Sequence, residues 1–109
     1  MRFDDYQKKS RETAQYPKIT RGFIYPVMGL AGETGELLNK VKKIFRDDRG
    51  RLTAKKKEEI EGELGGVLWY LAQVATEFNV SLKDIAKKNL QILKSRKERG
   101  VIKGSGDNR

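Results

Sequence analysis

The chain has no cysteine and no histidine, and only two of its 109 residues are proline. Without cysteine there is no disulfide framework, zinc–thiolate cluster or thiol nucleophile. Without histidine the usual neutral-pH general base is missing, and with it the Ser-His-Asp and Cys-His constellations. Hydrolytic chemistry in such a chain must run on carboxylates, lysine, tyrosine or a bound metal. No apolar run approaches the roughly 18 residues that a membrane-spanning helix requires, and Met1 to Ser10 is charged and polar, unlike a secretory leader. These features predict a cytoplasmic protein with no membrane partner. The length suits one domain, residues 1–109, with a modest core that self-association would extend.

What the chain has in excess is positive charge: 24 lysines and arginines against 15 acids, a formal net charge of +9. Such a surplus points to an anionic partner, and nucleic acid, a membrane surface or a triphosphate would each satisfy it. A nucleic-acid module is disfavoured, because the few aromatics are not interleaved with basic residues and no recognition-helix motif is present.

Hydrophobic periodicity predicts four helices and no strand. The first covers about residues 3–15 and is followed by a loop through Pro17 and Gly22, so residues 1–22 form an N-terminal helix and loop. The second runs from about Pro26 to Arg46, with Leu30, Leu37, Val41 and Ile44 at helical spacing beside Leu38 and Phe45. It ends at Asp47-Asp48-Arg49-Gly50, a turn signal. Thr53 is the expected N-cap of the third helix, which continues to about Phe78 and should bury Ile60, Leu64, Val67, Leu68, Leu71, Val74 and Ala75. Ser81 and Asp84 form a capping arrangement for the fourth helix, whose apolar stripe is Leu82, Ile85, Ala86, Leu90 and Leu93. Residues 100–109 read as an irregular basic tail. Short connections between long helices predict antiparallel neighbours in a four-helix bundle.

Certain glutamates fall on the wrong face of these helices. Glu33 lies three residues after Leu30 and four before Leu37, within the apolar stripe, and Glu36 follows at i+3. Glu63 stands in the same relation to Ile60 and Val67. No basic residue lies three or four places from Glu33 or Glu63, so neither can be neutralised within its own helix. A carboxylate on a buried face needs a basic partner, a proton or a metal. Glu36 has a simpler alternative in a surface pair with Lys40. Glycines 29, 32 and 35 surround the first pair and glycines 62, 65 and 66 flank Glu63; each costs roughly 0.5–1 kcal/mol relative to alanine in a helix, which implies close approach by another helix or a ligand. Three oxygen donors suit magnesium, with manganese or calcium as alternatives, and not zinc. Magnesium bridges readily to phosphates, so the natural substrate is a nucleotide. Lys94, Arg96, Lys97 and Arg99 could meet the remaining phosphate charge, although a basic helix C-terminus is also favoured by the dipole alone.

The segments GLAGETGELLNKVKK, residues 29–43, and ELGGVLWYLAQVA, residues 63–75, resemble the MazG-like nucleotide pyrophosphohydrolases, and the likeness continues through NLQILKSRKERGVIKGSGDNR, residues 89–109. The resemblance implies an all-α fold assembled as a homodimer or homotetramer. It further implies a magnesium-dependent cleavage of nucleoside triphosphates between the α and β phosphates, giving a monophosphate and pyrophosphate. Glu33, Glu36 and Glu63 match the family's metal-holding glutamates and Asn89 matches its helix-four asparagine. The chain departs from the pattern at Gly66, where the family has aspartate. That departure predicts a weakened site, with a water, Glu59 or Glu61 filling the gap, and raises the alternative of an impaired nucleotide-binding protein. Tyr70, one helical turn beyond Gly66, is expected to line the site, whereas Trp69 is expected in the core.

Overall fold

In a computed structural model describing residues 1–109, the chain forms four α-helices and no strand: α1 Phe3–Ser10, α2 Ile24–Asp47, α3 Ala54–Glu77 and α4 Leu82–Glu98. Asp4 and Asp5 lie in the first turn of α1 and Lys8 and Lys9 in its last, which complements the helix dipole. The helix stops well short of the expected residue 15. Ser10 and Thr13 donate their hydroxyls back to the carbonyls of Gln7 and Ser10, and a single 3₁₀ turn, Arg11–Thr13, replaces continued helix ahead of Pro17. Helix α2 begins two residues before Pro26, which therefore sits in the first turn, where its missing N–H has no intrahelical acceptor to lose. The other two starts follow the sequence expectation. Thr53 accepts from the Lys56 N–H at 3.1 Å, and Ser81 accepts from the Asp84 N–H at 3.0 Å.

Helices α2 and α3, each 24 residues and about 36 Å long, pack against one another as the antiparallel hairpin that carries the fold. Their register can be read from close approaches along the seam. Gly22 lies opposite Glu77, Gly29 opposite Tyr70, and Glu33 opposite Gly66. Helix α1 crosses the end of α3, where Tyr6 covers the small core of Ala72, Ala75 and Leu82. Gln7 fixes this crossing with both ends of its amide. It donates to the Thr76 hydroxyl and the Val80 carbonyl and accepts from the Leu82 N–H, at 2.8–3.1 Å. The side chain thereby satisfies one of the orphan donors opening α4.

The expected bundle does not close within one chain. Asn79 takes φ 56° after α3 and redirects the backbone, so that α4 touches α1 and then projects from the hairpin. Of its predicted apolar stripe only Leu82 is buried, while Ile85, Leu90 and Leu93 are exposed. Helix α3 shows the same divergence. Ile60, Val67 and Val74 lie half-buried, but Leu64, Leu68 and Leu71, expected inside, are exposed, because they belong to a second stripe that α1 covers only near its end. On α2, Leu38 and Phe45 are also in solvent. The radius of gyration is 17.0 Å, against about 13 Å for a compact chain near this length. No helix is long and apolar enough to cross a membrane.

Candidate functional site

The α2–α3 seam brings two of the predicted carboxylates together. Glu33 and Glu63, both half-buried, meet across it, and a protonated Glu33 can donate to Glu63. Burial first, then the adjoining Glu63 carboxyl, and last the charge of Glu36 push the Glu33 carboxyl up from its ordinary value. Glu36 itself is exposed one turn further along α2 and acts on Glu33 through its charge. It makes no ion pair with Lys40, so the simple surface alternative is not formed. Lys40 instead lends its charge to Glu59 across the seam. No three acidic side chains converge tightly enough to hold a metal ion as they stand. The Glu33–Glu63 pair nevertheless has the chemistry that a hard cation fits. Two carboxylates meet on a partly desolvated face, with no lysine or arginine ion-paired to either.

Gly66 is not an empty gap beside this pair. A Cβ built on residue 66 would lie 2.6 Å from Glu33 Oε2 and 2.8 Å from its Cδ, so the Glu33 carboxyl already occupies that place. The other candidates to fill it are elsewhere. Glu59 is paired with Lys56 at 3.1 Å, and Glu61 is exposed. Glycines 32, 35, 62 and 65, in contrast, face open space within this chain.

Tyr70 lies beside Glu33 on the α2–α3 seam. Its ring rests directly on the α2 backbone at Gly29, where any β-carbon would collide with it. Burial, then the neighbouring Tyr25 and the Glu33 charge, raise its hydroxyl pKa. Trp69 is half-buried, as a packing role implies, and its indole N–H donates to the Thr13 hydroxyl at 2.9 Å. It stands edge-on to Tyr70 and to Tyr16, and Tyr16 in turn stacks on Tyr25 with ring centroids 5.8 Å apart. Sequence reasoning missed Tyr16 and Tyr25. A signal existed for Tyr25, which lies eight residues before Glu33 on α2 and so shares its face through Gly29. Tyr16 carried none, because it arrives from the loop.

That loop is held by one charged group. Glu77 accepts from Tyr16 and from Arg11, the latter at 2.9 Å, and the buried Gln73 joins through Arg11 and Ser10. The Tyr16 hydroxyl first, then the Arg11 guanidinium, hold the Glu77 carboxyl below its usual range. A lowered carboxylate contributes stability that is present above its unfolded value and lost as pH falls through the folded one. Thermal stability should therefore fall as pH is lowered from about 5 toward 3, and Glu77→Gln should flatten that limb. Because Arg11 is 41% exposed at its side chain, the loss is expected near 1 kcal/mol at neutral pH, or a fall of roughly 5 °C in Tm by calorimetry.

The three predicted substrate residues of α4 are not brought to the carboxylates within one chain. Asn89 and Lys94 are exposed on the projecting helix. Arg96 is turned to the C-terminal tail, where it donates to the Asp107 carbonyl at 2.9 Å. The tail has no regular structure, as expected, but it folds back on itself. Arg109 donates to the carbonyls of Val101 and Gly106, and Arg99 donates to the Arg109 carbonyl.

Comparison with known proteins places this arrangement. The chain is 47% identical over 114 aligned residues to the Gene 37 protein of Mycobacterium phage L5, and the alignment spans the whole of both chains. No solved structure matches it significantly. Residues 26–101, which hold the hairpin, the carboxylate pair and all of α4, match the MazG nucleotide pyrophosphohydrolase domain. The α2–α3 carboxylates therefore sit on the segment that defines the family, and the chain belongs to the MazG nucleotide pyrophosphohydrolases.

Proposed function

We propose that the protein is a magnesium-dependent pyrophosphohydrolase that converts ribo- or deoxyribonucleoside triphosphates to monophosphates and pyrophosphate. The observation that carries this reading is the meeting of Glu33 and Glu63 across the α2–α3 seam, without a basic partner, in a chain of this family. Magnesium, or manganese in its place, would be held by Glu33 and Glu63 with Glu36 alongside, and when bound it orients phosphate oxygens and lowers the pKa of a coordinated water. Water adds to the α phosphorus and gives up a proton to solvent, the bond from that phosphorus to the bridging oxygen breaks, and pyrophosphate leaves with the bonding electrons. Glu36, exposed at the edge of the pair, is free to approach once charge is neutralised. Tyr70 walls the site on the side of Tyr25, where a nucleoside has aromatic surface to lie against.

Completion of the site is assigned to a second copy of the chain, as a homodimer or homotetramer. Two observations support this: α4 carries Asn89 and Lys94 away from its own hairpin, and the apolar stripes of α3 and α4 are uncovered. The test is a panel of ribo- and deoxyribonucleoside triphosphates with magnesium, followed by pyrophosphate release. Release from at least one nucleotide, abolished by EDTA, is expected. No release at high protein concentration would remove the enzymatic reading. A second reading, a nucleotide-binding protein with impaired turnover, is favoured by the absence of a carboxylate at Gly66. Calorimetry with a non-hydrolysable triphosphate separates the two, since binding without release is its signature.

A further inference from the structure

Gly66 is the only glycine of α3 whose missing side chain is filled by another residue. Gly62 and Gly65, on the same helix, face open space, so a general need for small residues along α3 does not account for position 66. The atoms found there belong to Glu33, from its Cγ at 3.2 Å through Cδ to Oε2. Glu63 lies three residues before Gly66, on the same face of α3, so a carboxyl seated at 66 is carried against Glu63. The paired close approach of Tyr70 to Gly29, one turn back along α2, fixes the separation of the helices at this level.

We infer that Gly66 is a positioning residue: the space left by its absent side chain seats the Glu33 carboxyl and holds it against Glu63 across the seam. This rests on the reading of that pair as the metal-holding group. In this chain residue 66 thus contributes by shape where the family's aspartate would contribute a ligand. A methyl group at this position would meet the end of a flexible side chain and not a backbone, so the fold is retained. Glu33 would rotate away, parting the two carboxylates. Alanine is also the better helix former. Gly66→Ala should therefore move stability and metal binding in opposite directions, which a merely structural glycine would not do.

The experiment compares the full-length chain with Gly66→Ala by thermal melting without metal and by calorimetric titration with magnesium chloride and manganese chloride. Expected are a metal-free Tm raised by about 4 °C and a metal affinity at least about tenfold weaker, the scale of a lost orienting contact. An affinity within twofold of wild type would overturn the inference. A double-mutant cycle of Gly66→Ala with Glu33→Ala, read as metal-free Tm, gives an answer independent of metal. Unequal effects of the methyl group with and without Glu33 are expected, and equal effects would overturn the seat. Should wild type bind neither metal, the metal-holding reading of the pair fails while the cycle still decides the seating of Glu33.

Discussion

Glu63→Gln is expected to lower magnesium-dependent pyrophosphate release by about 10²-fold or more while making the metal-free protein more stable. The two effects have one cause. In the native chain the Glu63 carboxyl faces that of Glu33, and no ion-paired lysine or arginine offsets the repulsion. A glutamine amide in that position can donate a hydrogen bond to the Glu33 carboxyl and removes the neighbouring charge that pushes Glu33 up, so the metal-free Tm should rise by about 4 °C. The same change removes half of the anionic pair to which a hard cation is drawn, and a loss of 10² in rate corresponds to about 2.7 kcal/mol of transition-state stabilisation. Glu61→Gln is the control, because Glu61 is exposed two residues away on the same helix. Its release rate should stay within twofold of wild type. A Glu63→Gln protein that loses stability and keeps its activity would show that the pair is only a structural contact.

The second large effect concerns the projecting helix. On the proposed assembly, α4 of one copy lays its uncovered stripe against another, so Leu90→Asp combined with Leu93→Asp should convert the oligomer to a monomer in sedimentation velocity. These side chains are 65% and 41% exposed in the single chain, and charging them should leave the fold of the hairpin intact by circular dichroism. Burial of a leucine contributes about 1.5–3 kcal/mol, and each interface would lose several such contributions through symmetry. Pyrophosphate release should fall at least tenfold with dissociation, since Asn89 would no longer be delivered to a carboxylate pair. A wild-type chain that sediments as a monomer at micromolar concentration and still hydrolyses nucleotides would remove this account.

Much of the candidate site was legible because helix geometry is local. The stripe containing Leu30, Glu33 and Leu37 has one placement at 3.6 residues per turn, and Thr53 and Ser81 mark helix starts by the bonds that their hydroxyls accept from the backbone. Glu33 and Glu63 therefore had to face inward once α2 and α3 paired. The extent of the core was less legible, because amphipathicity states which residues seek cover and not which neighbour supplies it. Leu64, Leu68 and Leu71 satisfy the helical period as well as Val67 does, yet they lie on a second stripe that this chain leaves open.

What the sequence determined by itself is therefore the set of four helices, the caps that open α3 and α4, and the presence of unpaired carboxylates on the apolar faces of α2 and α3. Each depends on residues within one or two turns. The tertiary structure decided the rest. The direction taken at Asn79 separates Asn89 from Glu33, the loop brings Tyr16 onto Tyr25, and the closeness of the two helices puts the Glu33 carboxyl in the space left by Gly66. These outcomes depend on where one helix lies against another, and no spacing along a single helix encodes that.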